Sequence, residues 1–164
     1  MNEILSSRNN NNNLSKNSLS KKNLKSLFAL KDIKTIFIVD DESLTRQSTI
    51  RILQTIALEN EIKINIEEAE DGLECLYLIY KYLTQGNEIF AIICDQTMNY
   101  LDGSNTSEIL KKILEMRNIP QIPFFILTAY EDNYTLNILK GNGFIKEVFS
   151  KPLSKKNAFR VLEK

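Results

Sequence analysis

Apolar runs of strand length recur five times after Lys34, each rich in β-branched or aromatic residues and bounded by polar ones. This pattern predicts five β-strands: Thr35–Val39, Ile62–Glu68, Ile89–Cys94, Phe124–Leu127 and Ile145–Phe149. The second run alternates isoleucine with polar residues, which is typical of a half-exposed edge strand. The third is apolar throughout, which is typical of a central strand covered on both faces.

A segment with helical periodicity follows each predicted strand. Ser43 is a suitable N-cap residue for the first helix, which should end near Leu58. In the second helix, an apolar stripe along one side is predicted by the spacing of Leu73, Leu76, Tyr77, Tyr80 and Leu83. The predicted helices are Ser43–Leu58, Asp71–Leu83, Ser104–Met116, Glu131–Lys140 and a short helix that begins at Ser154.

Five strand–helix repeats with short connections predict an α/β fold. Right-handed crossovers between parallel strands place helices on both faces of the sheet. The common strand order for five such units is 2-1-3-4-5, so we predict a flavodoxin-like three-layer sandwich. In this fold ligands bind outside the carboxyl ends of the strands, at the switch between strands 1 and 3.

Polar side chains stand where four of the predicted strands end: Asp40 and Asp41 after strand 1, Asp95 after strand 3, Thr128 at strand 4 and Lys151 after strand 5. These strands are neighbours in the predicted order, so their polar ends should meet in one crevice. Three converging carboxylates repel one another unless a cation is present, and Mg²⁺ is a hard ion that takes oxygen ligands and binds phosphate. The set predicts a phosphoryl-accepting site, with Asp95 at the most buried strand as its nucleophile.

Each of these residues also has a purely structural interpretation. Asp40 and Asp41 suit the N-terminus of a helix, and Thr128 alone is an ordinary strand-end hydroxyl. A Lys-Pro pair such as Lys151-Pro152 after a strand is commonly only a turn. The functional interpretation gains weight because the predicted topology brings all these strand ends together.

Composition separates an N-terminal segment from the rest of the chain. Residues 1–33 are rich in Asn, Ser and Lys and hold six Lys/Arg against two Asp/Glu, whereas residues 34–164 carry a net charge of −4. So low an apolar content predicts a disordered tail or linker, with a short basic amphipathic helix as the alternative. We therefore predict a tail at residues 1–33 and one domain at residues 34–164.

The residue types present exclude several kinds of site. The chain contains no histidine, which excludes a histidine phosphodonor, Ser-His or Cys-His catalysis and most zinc sites within it. Cys75 and Cys94 fall in a predicted helix and a buried strand, so reduced thiols and a cytoplasmic location are expected. No apolar run reaches the ~18–20 residues of a membrane span, and no Gly-rich nucleotide loop is present.

Five short motifs mark the strand ends: VDDESLTR (Val39–Arg46), EAEDG (Glu68–Gly72), DQTMNYLDG (Asp95–Gly103), LTA (Leu127–Ala129) and SKP (Ser150–Pro152). Each motif alone is weak. Together and in this order, from about Lys34 to the C-terminus, they resemble the receiver domain of two-component response regulators. The sequence departs from the family pattern where Asn99 replaces a common Pro, Leu101 a common Met and Val148 a common Tyr or Phe.

The resemblance implies a role for each polar residue. It makes Asp95 the phosphoacceptor, Asp40 and Asp41 the acidic pair that binds Mg²⁺, the backbone carbonyl of Thr97 a further metal ligand, and Thr128 and Lys151 the groups that contact the phosphoryl oxygens. The implied partner is a histidine kinase or a histidine phosphotransfer protein. Neither nucleic acid binding nor a membrane span is expected of this domain.

The sequence leaves three functions open. The first is a phosphoacceptor receiver, not a stand-alone enzyme, that takes a phosphoryl group from a partner phosphohistidine onto Asp95 and signals by a change of conformation. Such a receiver stands alone or forms the end of a hybrid histidine kinase. The second is a degenerate receiver that binds a partner without phosphorylation, which Val148 and Asn99 favour. The third, a phosphatase or nucleotidase of the same topology, lacks the DxD motif that would support it.

Overall fold

The computed structural model describes residues 32–129 and 132–163. Within them, five parallel strands form one sheet in the order β2-β1-β3-β4-β5. The strands are β1 Lys34–Val39, β2 Ile64–Ala69, β3 Ala91–Asp95, β4 Phe124–Thr128 and β5 Ile145–Ser150. The helices are α1 Ser43–Glu59, α2 Gly72–Thr84, α3 Gly103–Met116, α4 Asn133–Gly141 and α5 Lys155–Leu162. The predicted α/β fold and strand order are confirmed.

Some predictions fall outside the described residues. The tail predicted for residues 1–33 lies outside them as far as residue 31, and so does Glu131, the predicted start of the fourth helix. Among the helices that the structure describes, none combines the length and apolar character needed to cross a bilayer.

Two layers of helices cover the sheet, because alternate residues of each strand point to opposite faces. In β3, Ile92 and Cys94 belong to the core shared with α2, α3 and α4, whereas Ala91 and Ile93 belong to the core shared with α1 and α5. All of β3 is buried, as its unbroken apolar sequence predicted. The edge strand β2 is mostly half-exposed, also as predicted. Asp95, the last residue of this central strand, therefore lies in a buried part of the sheet.

The start of α1 differs from the prediction. Glu42, not Ser43, occupies the N-cap position, and its side chain makes no capping hydrogen bond to the helix backbone. Asp40 Oδ1 instead accepts a hydrogen bond from the backbone N–H of Glu42 at 2.9 Å. The N-cap prediction was wrong because the chain leaves β1 through a tight turn that this carboxylate, two residues earlier, already stabilises.

The apolar stripe predicted on α2 faces the core only in part, because Leu76 and Leu83 pack against it and the other three residues do not. Leu73, Tyr77 and Tyr80 are 56%, 64% and 48% exposed, while Cys75 and Ile79 are buried. This helix carries apolar residues on every side, so helical periodicity alone does not identify its buried face. Cys75 and Ile79 pack against the sheet and Tyr82 contacts Phe37 of β1, whereas Tyr77 and Tyr80 are exposed.

Candidate functional site

The carboxyl edge of the sheet brings the predicted polar residues together. Asp40 follows β1, and Asp95 ends the adjacent β3. Across β3 and β4, Asp95 is in register with Leu127, so Thr128 lies one residue further along. The backbone N–H of Lys151 donates to the carbonyl of Thr128 at 2.8 Å, which fixes the end of β5 beside that of β4. Parallel pairing therefore carries all four strand ends to one side of the domain.

Three carboxylates converge at this edge. One oxygen from each of Asp40, Asp41 and Asp95 lies within 4.8 Å of the other two. Asp40 and Asp95 are buried, at 3% and 6% exposure. In the octahedral shell of Mg²⁺, with ligand distances of 2.0–2.1 Å, neighbouring ligands stand about 2.9 Å apart and opposite ligands about 4.2 Å, so the three oxygens would move closer together around this ion. The residue types and spacing suit a hard divalent cation.

Lys151 supplies the positive charge of the cluster. Its Nζ lies 2.8 Å from Asp40 Oδ2 and 3.0 Å from Asp95 Oδ2. Burial acts to lower the pKa of Lys151, but the hydrogen bonds and charges of the two aspartates outweigh it and hold this pKa above its usual value. The Lys151 ammonium therefore stays charged at neutral pH and neutralises part of the negative charge of Asp40 and Asp95.

The surroundings of Asp95 disfavour the ionised form of its carboxyl. Burial raises the pKa of its carboxyl, and the nearby charge of Asp40 acts in the same direction. The hydrogen bond and charge of Lys151 and the backbone N–H of Thr97 oppose this shift, but the pKa remains above its usual value. An ionised Asp95 is thus less stable here than in water, and a further cation in the site would relieve it.

Arg46 is a supporting residue that sequence reasoning missed. Its Nη1 donates to the backbone carbonyl of Asp40 at 2.6 Å, and its Nε pairs with Glu68 of β2 at 2.9 Å. The guanidinium thereby joins the loop after β1 to the neighbouring strand. Its place in the first turn of α1 is visible in the sequence, but its partner on another strand is not.

Phe149 points to the opposite face of the sheet from Val148, which is the position where the family commonly has Tyr or Phe. Val148 is in register with Ile126 and packs against the core shared with α4. Phe149 faces the opposite core, where its ring stacks on Phe125 with 5.5 Å between centroids. Phe149 therefore does not stand in for an aromatic residue on the α4 side of the sheet.

Thr128 is buried at 1% exposure, one residue from the level of Asp95 in the neighbouring strand. Its predicted contact with a phosphoryl oxygen stays a prediction, as does the ligand role of the Thr97 carbonyl. Thr97 does adjoin the site, because its backbone N–H acts to lower the pKa of the Asp95 carboxyl.

Gly103 permits close approach of α3 to the end of β3. A Cβ at this position would stand 2.5 Å from the carbonyl oxygen of Asp95 and 2.6 Å from Cδ1 of Ile126. We expect Gly103→Ala to lower the free energy of unfolding by about 1–3 kcal/mol, because backbone and core must shift. Urea unfolding measures this loss.

The matched control is Gly141→Ala at the end of α4. A Cβ there meets nothing within 4 Å, so its free energy of unfolding should stay within about 0.5 kcal/mol of the wild type. Equal effects of the two substitutions would show that close packing at Gly103 is not what holds α3 against the site.

Comparisons with known proteins agree with this geometry. The family model of the response regulator receiver domain matches residues 36–163. No curated protein matches the chain. Among solved structures, a two-component response regulator from Cytophaga hutchinsonii is 15% identical with a TM-score of 0.69, over 80% of this chain and 96% of its own. One from Legionella pneumophila is 24% identical with a TM-score of 0.57, over 79% and 95%.

A third similar structure is the phosphorylated cyanobacterial phytochrome response regulator RcpA, 18% identical with a TM-score of 0.55, over 79% of this chain and 89% of its own. At these identities the structural likeness establishes the fold. Receiver domains are regulatory parts of two-component signalling that work with histidine kinases or phosphotransfer proteins and typically bind Mg²⁺ through an acidic cluster. Because the family model spans most of the sequence, this chain belongs to the response regulator receiver domain family.

Proposed function

We propose that the domain accepts a phosphoryl group on Asp95 from a partner phosphohistidine in a Mg²⁺-dependent reaction. The observation that carries this proposal is the position of Asp95, which shares the acidic cluster with Asp40 and Asp41 and lies 3.0 Å from the Lys151 ammonium. The backbone carbonyl of Thr97 would complete the protein ligands of the ion. When bound, Mg²⁺ would draw charge from the transferring phosphoryl oxygens.

The residues of this chain have distinct tasks in the transfer. A carboxylate oxygen of Asp95 attacks phosphorus, a new P–O bond forms, and the P–N bond to the donor imidazole breaks with its electron pair passing to nitrogen. The Lys151 ammonium, already beside the attacking carboxylate, donates to a phosphoryl oxygen, and the Thr128 hydroxyl donates to another. Positioning and charge stabilisation account for most of the catalysis in such a transfer.

Phosphorylation would replace the single negative charge of the Asp95 carboxylate with an acyl phosphate that carries about −1.5 to −2. Movement of Thr128 toward the new oxygens would carry the loop before α4 with it. Of the described residues of α4, Leu139 is the one that is buried. A helix so lightly attached to the core is the element that a small change at the site biases most easily.

We further propose that the domain comprises residues 34–164 and that it is located in the cytoplasm. The family match begins at residue 36 and β1 begins at Lys34, which supports a domain at residues 34–164 preceded by a tail. The cysteines at 75 and 94 are free and buried, as expected in a reducing cytoplasm.

A degenerate receiver that binds partners without phosphorylation is the second candidate. The observation that favours it is Val148 on the α4 side of β5, at the position where the family commonly has Tyr or Phe. Beryllofluoride, a phosphoryl mimic, separates the two candidates. With Mg²⁺ it should shift the NMR signals of the residues around Asp95 in a working receiver, and leave them unchanged in a degenerate one.

Metal dependence is the direct test of the proposed reaction. We expect the chain incubated with acetyl phosphate and Mg²⁺ to gain the mass of one phosphoryl group, and to gain none when a chelator removes the ion, because the acidic cluster then repels the donor. Intact-protein mass spectrometry measures both. Uptake that the chelator does not reduce would contradict the metal-assisted mechanism, and no uptake from any donor would favour the degenerate receiver.

A further inference from the structure

One acidic residue of the cluster is held by a different partner from the other two. Lys151 contacts Asp40 and Asp95, whereas no lysine or arginine within the described residues forms an ion pair with Asp41. Asp41 Oδ2 instead accepts a hydrogen bond from Nδ2 of Asn99 at 3.0 Å. The two residues are 58 positions apart in the sequence and come from the loops after β1 and β3.

The loop that presents Asn99 is fixed on both sides. Met98, the preceding residue, is buried in the core. Further on, the carbonyl of Leu101 accepts a hydrogen bond from the N–H of Gly72 at 3.2 Å, and the N–H of Gly103 returns to the carbonyl of Gln96 at 3.1 Å. The amide of Asn99 thus projects from an anchored turn and not from a free loop.

We infer that Asn99 is a positioning residue for the divalent cation, because it fixes the carboxylate of Asp41 through the Asn99–Asp41 hydrogen bond. A carboxylate has two oxygens, so one can accept from the amide while the other ligates the ion. The amide donor orients the side chain without adding a charge that would repel the cation. Hydrogen-bonding partners of metal ligands commonly act in this way. The inference rests on the proposed Mg²⁺-dependent function and concerns a residue to which that function assigns no role.

The test is the affinity of the full chain for Mg²⁺, measured by calorimetric titration without any phosphodonor. Asn99→Leu keeps nearly the same size and removes the donor. We expect it to weaken Mg²⁺ binding about 5- to 10-fold, at or below the lower end of the range for such partners because this hydrogen bond is exposed to solvent. Asn99→Gln retains the amide at an exposed position, and should bind Mg²⁺ more tightly than Asn99→Leu.

Tyr100→Ala is the matched control, because Tyr100 lies in the same loop and is 79% exposed. It should bind Mg²⁺ as the wild type does, and urea unfolding without Mg²⁺ should find similar stability for all these variants. Wild-type affinity or tighter binding in Asn99→Leu would overturn the inference and leave the proposed function standing. The inference would also fail if Asn99→Gln bound as weakly as Asn99→Leu, or if Tyr100→Ala lost as much affinity. A wild-type chain that binds no Mg²⁺ would instead overturn the proposed function itself.

Discussion

Asn in place of Asp95 is expected to reduce phosphoryl uptake from acetyl phosphate by at least about 100-fold, since removal of the nucleophile of an enzyme costs far more than this. The amide has nearly the shape of the carboxylate, but it is a poor nucleophile and contributes no charge to a cation in the acidic cluster. Lys151 keeps its ion pair with Asp40 at 2.8 Å, so the fold should persist in this variant. Mass spectrometry after incubation with the donor and Mg²⁺ measures the loss.

A matched control is Asp71→Asn, the same chemical change outside the cluster. Asp71 caps α2 by accepting from the N–H groups of Leu73 and Glu74, and asparagine is an equally good N-cap residue. This variant should take up the phosphoryl group as the wild type does. If Asp95→Asn kept the uptake of this control, another residue would be the acceptor.

Methionine in place of Lys151 is expected to lower the free energy of unfolding of the metal-free chain by about 2 kcal/mol at neutral pH. Removing one partner of a fully buried ion pair costs about 3–5 kcal/mol, and we expect less here because the Lys151 side chain is 16% exposed. Without this ammonium, Asp40 and Asp95 lose the cation that lies within 3.0 Å of both. Urea unfolding with and without Mg²⁺ measures the effect.

Two conditions should reduce the destabilisation of Lys151→Met. Mg²⁺ should stabilise the variant more than the wild type, because the ion replaces the missing charge and no longer competes with an ammonium.

Lower pH should also reduce the difference in free energy of unfolding between Lys151→Met and the wild type. The pKa of Asp95 is already raised by burial, and removal of Lys151 raises it further, so the folded variant takes up a proton more readily than the unfolded chain does.

Lys155→Met provides the comparison for loss of a surface ion pair. Lys155 lies 3.5 Å from Glu59, and these side chains are 66% and 50% exposed. Its free energy of unfolding should change by less than about 0.5 kcal/mol, with no special response to Mg²⁺. Equal effects of the two lysine substitutions would contradict the view that Lys151 neutralises the acidic cluster.

The convergence of the three aspartates could be predicted from the sequence because it depends only on where the strands end and on their order in the sheet. The apolar run before Asp95 identifies a buried central strand, and parallel topology then places the ends of the neighbouring strands at the same edge. The convergence of Asp40, Asp41 and Asp95 follows from those two facts. The structure bears out this convergence, with one oxygen from each residue inside 4.8 Å.

The supporting contacts could not be predicted in the same way. Asn99 and Asp41, or Arg46 and Glu68, meet because two loops or a helix and a strand come together in space, and no periodicity records such pairs. Glu42 replaced Ser43 as the N-cap because the turn after β1 is stabilised by a carboxylate and not by a hydroxyl.

The sequence also did not reveal which face of α2 packs against the sheet. Its sequence offers apolar residues to every direction, so Tyr77 and Cys75 are equally plausible core residues until the sheet is present. In the folded domain the cysteine is buried and the tyrosine is 64% exposed. Helical periodicity predicts a buried face when polar residues mark the opposite one, and this helix has few of them.

Locating the phosphoryl group tests the central claim most directly. The chain is incubated with acetyl phosphate and Mg²⁺, treated with borohydride to reduce the acyl phosphate to an alcohol, and digested for peptide mass spectrometry. We predict that homoserine replaces aspartate at Asp95 and at no other acidic residue. Reduction at Asp40 or Asp41, or a phosphate ester on a hydroxyl residue that borohydride leaves intact, would contradict the account.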